Sequence, residues 1–362
     1  MRTCFIVLIC TAGLLAPVAA TASGTLTGAS NAMNPALSVN GLFVAETSND
    51  RDDAEVNGAR LQEAELHMTA VVDPFWTANA IFSVAPREDD ASSFDIIMEE
   101  GNVEATSLPW GIGLKLGKFF LPFGKHAPLH THQYAFVESP LGVASFVGAG
   151  LTETGAELAY ALPLPWYSDL ILYAMNADTE IWDQDDRDPM FGARLSNLWD
   201  VSDDATLELG GSYMRGPGSA AWHGFAGDFR VSGVDLTYKW ISSSSSHGPA
   251  LNLTAEALFP DPEAYDGSPL GWYVMGQYRF HHNWWLGLTH GRADTDETGA
   301  PTAWNGIGET WESKLNFTFA PSEFSGLRVE VSQYDDRLGD ADDLRFSVQW
   351  NFTIGSHPAH SY

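Results

Sequence analysis

Residues 344–355, LRFSVQWNFTIG, separate cleanly by parity. Leu344, Phe346, Val348, Trp350, Phe352 and Ile354 occupy one set of positions, and Arg345, Ser347, Gln349, Asn351 and Thr353 the other. Successive side chains of a strand point to opposite faces, so this pattern predicts one apolar and one polar face. Helical spacing would mix Arg345 and Gln349 with Phe346 and Trp350. The alternation recurs at 311–319, 272–281, 251–257, 234–240 and 63–72, where Glu63, Glu65, His67 and Thr69 alternate with Ala64, Leu66, Met68 and Ala70. The longest runs match the roughly 9–11 residues with which a tilted strand crosses a bilayer. Residues 93–106 change parity around Glu99-Glu100-Gly101, which predicts a bulge.

The connections alternate as well. Short ones sit at 73–74, 107–109, 162–165, 281–283 and 321–323. Longer, acidic ones sit at 47–58, 86–92, 176–188, 260–270, 292–308 and 335–342. Counting on this basis gives about 16 strands, starting near 36, 59, 75, 93, 111, 151, 166, 189, 204, 229, 249, 271, 283, 309, 326 and 343. The expected fold is all-β: a transmembrane antiparallel β-barrel over 36–355, with both termini at the short-turn end. Counts of 14 and 18 strands are the alternatives. A soluble β-sandwich would also alternate, but it packs its apolar faces into one core. The outward parity here is rich in aromatics near strand ends, at Trp166-Tyr167, Trp199, Trp240, Trp284-Trp285 and Trp350. Aromatic girdles at the two interfaces of a membrane explain that placement.

Composition supports the same class. The N-terminus, MRTCFIVLICTAGLLAPVAATASG, places Arg2 before an apolar run and then small residues, the layout of a cleaved signal peptide over 1–22. A short N-terminal periplasmic segment, 23–35, then precedes the barrel. Both cysteines, Cys4 and Cys10, lie inside that peptide, so no disulfide framework is expected. No later stretch is long and apolar enough for a membrane helix. A net charge of −29 excludes nucleic acid as a partner. Aromatic content of 12% and 34 glycines argue against a disordered acidic chain. The expected location is the outer membrane of a Gram-negative bacterium. The expected partners are outer-membrane lipid, lipopolysaccharide and the barrel assembly machinery.

Charge on the inward parity suggests what the barrel passes. Glu63, Glu65, Glu104 and Glu157 are acidic candidates for the lumen; Lys115, Arg194, Arg279, Lys314, Arg328 and Arg345 are basic ones. Opposed rows would set a transverse field across a water-filled pore; the alternative is that these groups pair with one another. Carboxylates in the long loops would concentrate cations at the mouth. Small solutes or cations are therefore the expected cargo. The segment DQDDRD lacks the glycine and the closing glutamate of a calcium loop. GGSYMRG is not G-x-S-x-G, and neither H-E-x-x-H nor a P-loop occurs, so an enzyme is not expected.

One stretch carries candidate metal chemistry. In GKFFLPFGKHAPLHTHQYAF, residues 117–136, His126, His130 and His132 fall within seven positions. Neutral imidazoles ligate zinc at about 2.0–2.1 Å. Spacing alone leaves two readings open: a Zn2+ site completed by wall acids or by Glu138, or histidines that hydrogen-bond a folded loop. No cofactor is otherwise implied. By the strand count, 122–150 is the third and longest outer loop, and its aromatic residues give it surface to pack with.

The run LKLGKFFLPFGKHAPLHTHQYAFVESPL (114–141), with EEGNVEATSLPWGIGLKLGKF (99–119) before it, resembles the phosphate-selective porin O and P superfamily. Within it, the histidine-bearing continuation is most similar to a proteobacterial group of zinc-regulated outer-membrane receptors. The tail Gly355-Ser356-His357-Pro358-Ala359-His360-Ser361-Tyr362 fits the same group, which makes His357 and His360, in a periplasmic tail over 356–362, further candidate metal donors. The resemblance implies a porin-like channel for passive passage of small solutes or ions, narrowed by loop 122–150 and linked to divalent-metal uptake. Two other functions stay open: a receptor for a metal or metal chelate, and a structural or adhesive barrel with a blocked lumen. A homotrimer also stays open. The chain is too short for a plug domain and about 22 strands, as TonB-dependent receptors require. With 18 basic against 47 acidic residues, it lacks the basic lining that phosphate selectivity implies.

Overall fold

The computed structural model describes residues 35–49, 56–87, 93–105, 108–183, 188–219, 227–242, 248–263, 267–295, 309–336 and 341–355. The expected signal peptide, nearly all of 23–35, the tail with His357 and His360, and much of the long acidic loops lie outside these residues.

Sixteen strands follow in chain order: β1 Ala36–Ser48, β2 Gly58–Asp73, β3 Trp76–Pro86, β4 Phe94–Ala105, β5 Ile112–Phe120, β6 Thr152–Ala161, β7 Tyr167–Met175 and β8 Met190–Ser202. The second half comprises β9 Ala205–Gly218, β10 Gly227–Ile241, β11 Ala250–Pro262, β12 Leu270–His281, β13 Trp284–Asp294, β14 Thr310–Ser322, β15 Ser325–Asp336 and β16 Ala341–Gly355. Each pairs antiparallel with its neighbours, and β16 pairs with β1, so the sheet closes into a barrel. Closure satisfies every strand edge without water, which a hydrocarbon surround demands. Every strand starts within two residues of the position expected from parity and turn chemistry. Among the described residues no helix is long and apolar enough to cross a membrane.

Parity decides what faces out. Phe43, Leu158, Leu209, Val234, Leu253, Val274, Leu288, Leu315, Phe346 and Trp350 are all exposed, and together they girdle the barrel with apolar surface. Water would not tolerate a patch of that extent, whereas lipid requires it. At the short-turn end, Trp166 lies 6.1 Å from Trp199, and Trp284 lies 4.4 Å from Phe319, in keeping with an interfacial girdle.

Two register shifts lie within the strands rather than beside a tight turn, and both add side chains to the lumen. Opposite Ile81/Phe82 the register jumps from Glu100 to Met98, leaving Glu99 as the extra residue of β4. Opposite Leu42/Phe43 it jumps from Glu63 to Leu61, leaving Gln62 as the extra residue of β2. The first was expected from the parity change; the second was not. Gly117 marks the closest approach beside β4: its φ is +124°, and a Cβ there would lie 2.2 Å from the Gly101 carbonyl.

The core lies inside the barrel. Phe119, Leu121, Phe123, Phe136, Val143, Phe146 and Val147 pack against inward residues Tyr173, Met175, Met190, Met214, Phe229, Val231, Leu258 and Tyr273. The first group comes mainly from the connection between β5 and β6. Towards its end this connection forms the one α-helix of the described residues, α1, Leu141–Val147, which packs on β12 and β13.

Candidate functional site

The β5–β6 connection is held by inward-facing side chains from most of the circumference. Its first anchor is at Pro122-Phe123-Gly124. Gly124 has φ +62°, and its N–H donates to Ser212 Oγ at 3.0 Å. A Cβ at this position would lie 1.7 Å from Glu256 Oε1. Glu256 in turn accepts the N–H groups of Lys125 and His126, both at 3.2 Å, and the hydroxyl of Tyr273 at 3.0 Å. Lys125 Nζ reaches Glu208 at 2.7 Å. The glycine of the GKFFLPFG run is therefore required twice, for its left-handed backbone and for the carboxylate lying against it.

The chain then crosses to the opposite wall. His130 Nδ1 lies 3.0 Å from Glu65 Oε2 on β2 and 3.0 Å from Glu99 Oε2 on β4. Its Nε2 lies 2.9 Å from Glu100 Oε1. His132 Nδ1 lies 3.2 Å from the same Glu65 oxygen, and the two imidazoles stack at 5.6 Å. Phe120 covers the His130 ring edge-on at 4.5 Å. The β4 bulge makes this arrangement possible, because it turns Glu99 and Glu100 to the same side.

Beyond His132 the segment runs along β14–β16. Its carbonyls accept hydrogen bonds from wall side chains: His132 from Asn351, Tyr134 from Arg328 at 2.8 Å, Ala135 from Asn316 at 2.8 Å, and Val137 from Gln62 at 3.0 Å. Lys314 Nζ donates to the carbonyls of Glu138 and Ser139 while paired with Glu312 at 2.9 Å. Glu330 accepts the N–H of Val137, and Glu312 that of Leu141, the first residue of α1. Tyr134 closes the segment on itself through a hydrogen bond to the Ala149 carbonyl.

Burial and charge set the titration of the segment's groups. His126 is 4% exposed and sits 4.6 Å from the Tyr134 ring and 6.1 Å from that of Tyr273. Burial, and then the Lys314 charge, push its pKa down to about 3, so it is a neutral imidazole. His130 is the reverse case. Burial alone would lower its pKa, but the surrounding carboxylates of Glu100, Glu65 and Glu99 raise it to about 12. Burial raises the Glu138 carboxyl above its usual range, and Lys314 opposes this.

The expected donors are thus divided. His130 and His132 meet at Glu65, as a wall-completed site requires. His126 lies among tyrosines instead, because the N–H groups on its side of the turn are tied to Glu256. Glu138 lies beside Lys314 and is not among the donors grouped at His130. Glu99 and Glu100, which complete the cluster, were marked in the sequence only by the parity change.

The lumen charges pair between neighbours rather than forming opposed rows. Glu104 meets Lys115 at 3.1 Å, and Lys115 lies opposite Glu157 in the next register. Arg194 is bidentate on Asp235; Arg345 pairs with Asp343; Arg328 also reaches Gln349 at 2.7 Å. Arg279 donates to the Gly248 carbonyl and lies over Trp285. Partners on the same, the next or the next-but-one strand meet these groups and neutralise them locally, so the charges named here do not stand in separated rows.

No family model matches the chain. One similar curated protein, an uncharacterized protein of Aquifex aeolicus (strain VF5), is 28% identical; the match covers 85% of this chain and 71% of that one. Solved structures of similar fold are outer-membrane proteins. Pseudomonas putida OprB, in its high-pH structure, superposes with a TM-score of 0.59 at 10% identity, covering 89% of this chain and 94% of that one. The anion-selective porin from Comamonas acidovorans gives 0.58 at 11%, covering 88% and 100%. The outer membrane channel DcaP of Acinetobacter baumannii gives 0.55 at 14%, covering 89% and 96%. At such identities the likeness is one of fold: a closed, porin-type barrel.

Proposed function

We propose that this protein is a passive outer-membrane channel of a Gram-negative bacterium, passing small solutes or ions through a barrel narrowed by the 122–150 segment. One observation carries the reading. The segment is hydrogen-bonded to inward side chains of β2, β9, β11, β14, β15 and β16, so that it crosses the lumen instead of lying over the mouth. The chain carries 47 acidic against 18 basic residues, a balance that favours cations and, among them, divalent metal ions. The resemblance of residues 99–141 to zinc-regulated receptors supports the metal-linked part of this reading.

A second reading is a barrel closed in its resting state, and the dry apolar cluster within the lumen favours it. Planar-bilayer recordings separate the two. Discrete steps with cation preference are expected for the channel. Silence at all voltages, from protein shown to be folded and inserted, would overturn it in favour of the closed barrel.

A further inference from the structure

We propose that the lumen contains a binding site for one divalent transition-metal ion. Its ligands are His130 Nδ1, His132 Nδ1 and the carboxylates of Glu65 and Glu99, with Glu100 orienting the His130 ring. The inference rests on the docking of the 122–150 segment inside the barrel, and does not depend on conduction.

The first support is spacing. Two ligands on a tetrahedral ion at bond lengths of about 2.0–2.1 Å stand about 3.3 Å apart. The pairs His130 Nδ1–Glu65 Oε2, His130 Nδ1–Glu99 Oε2 and His132 Nδ1–Glu65 Oε2 stand at 3.0, 3.0 and 3.2 Å. One ligand atom from each of Glu65, Glu99 and His130 falls within 4.8 Å of the others.

The second support is an oxygen without a hydrogen bond. Glu65 is 1% exposed, and its Oε2 accepts none of acceptable direction, although two ring nitrogens stand beside it. A buried carboxylate oxygen left in that state is costly unless something else meets it. A cation among the three atoms meets it without requiring N–H directions that the rings do not offer.

The third support lies behind the ligands. A ligating histidine hands its other ring nitrogen to a carboxylate, which fixes tautomer and orientation. Here Nε2 of His130 faces Glu100 Oε1 at 2.9 Å, while Nδ1 faces the cluster. Charge agrees: Glu63, Glu65, Glu99 and Glu100 crowd one buried region, and among the described residues none of them ion-pairs with a lysine or arginine. Mixed imidazole and carboxylate donors suit ions of the zinc class; Mg2+ and Ca2+ favour all-oxygen shells. Bound there, the ion would staple the middle of the segment to β2 and β4.

The test is calorimetric titration of ZnCl2 into the chelator-treated full chain in detergent, with MgCl2 as contrast. Co2+ loading, read by visible absorption, reports coordination. One Zn2+ per chain and four-coordinate Co2+ bands are expected. Glu100→Gln should weaken binding about 10–100-fold, and the His130→Ala/His132→Ala pair should abolish it. The near-isosteric Glu65→Gln guards against a folding artefact; it should weaken zinc while heat-modifiable migration stays intact. His126→Ala and the tail pair His357→Ala/His360→Ala should leave binding unchanged. The proposal is overturned by absent binding in the parent chain, by unchanged binding in His130→Ala/His132→Ala or Glu65→Gln, or by loss of binding in the tail pair.

Discussion

Asp235 takes both terminal nitrogens of Arg194, at 2.6 and 2.9 Å, on the inner wall of the barrel where β8 and β10 flank β9. The Asp235 side chain is fully buried and that of Arg194 nearly so. Arg194 also donates to Ser212 Oγ, the atom that accepts the Gly124 N–H. A wall ion pair is thus linked through one hydroxyl to the start of the segment that crosses the lumen.

Removing one partner of that pair leaves the other charged and buried. Arg194→Met or Asp235→Asn should each cost about 3–5 kcal/mol. The double variant Arg194→Met/Asp235→Leu should cost less than either alone. Urea unfolding of the barrel in lipid vesicles checks the ranking. A double variant worse than both singles would show that the pair contributes more than its charges.

Gly124→Ala addresses the motif itself. The substitution imposes a left-handed backbone on a residue with a Cβ and drives that Cβ into Glu256. Undocking of residues 122–126 is expected, at a cost of at least about 1 kcal/mol. The readouts are faster proteolysis within 122–150 and larger or noisier conductance steps. Unchanged proteolysis would mean that Glu256 moves aside without loss.

Acidification should release the same region. His126 binds no proton while buried near Tyr134, Tyr273 and Lys314, whereas once exposed it titrates near its ordinary 6.5. The undocked state therefore binds more protons between about pH 6.5 and about pH 3. The His126 contribution to docking is at full strength above that window and weakens as pH falls through it. Proteolysis of the segment should accelerate from pH 7 towards pH 4, and His126→Phe should flatten the profile. Equal profiles in the two chains would assign the acid sensitivity to wall carboxylates instead.

How much of this was legible in the sequence follows from the range of each interaction. Strand periodicity is local: Phe346, Val348 and Trp350 declare their face within five residues, and turns follow at once. The segment's docking is not local. Val137 meets Glu330 across 193 positions, and Lys125 meets Glu256 across 131, and no spacing rule connects such pairs. The histidine cluster was partly visible. His130 and His132 stood out and Glu65 was on the inward parity, but bringing them to Glu99 depends on one bulge. The Gln62 bulge left no trace, since Leu61-Gln62-Glu63 reads as ordinary alternation until its partner strand is known.

The β4 bulge itself can be tested by deletion. On either side of Glu99 the strand is regular: Met98 pairs with outward Phe82, and Glu100 with inward Ile81. Without Glu99, Met98 and Glu100 become consecutive, still facing out and in, and the register to β3 is preserved at both ends. The deletion variant should therefore close its barrel and show normal heat-modifiable migration, unlike most deletions within a strand. What it loses is one of the carboxylates facing His130, a charged hydrogen bond worth about 1.5–3 kcal/mol to segment docking. Zinc affinity should fall with it, as in Glu99→Gln. Failure of the deletion chain to fold, with Glu99→Gln folding normally, would mean that the bulge is needed for the curvature of the wall as well as for aiming Glu99 at His130.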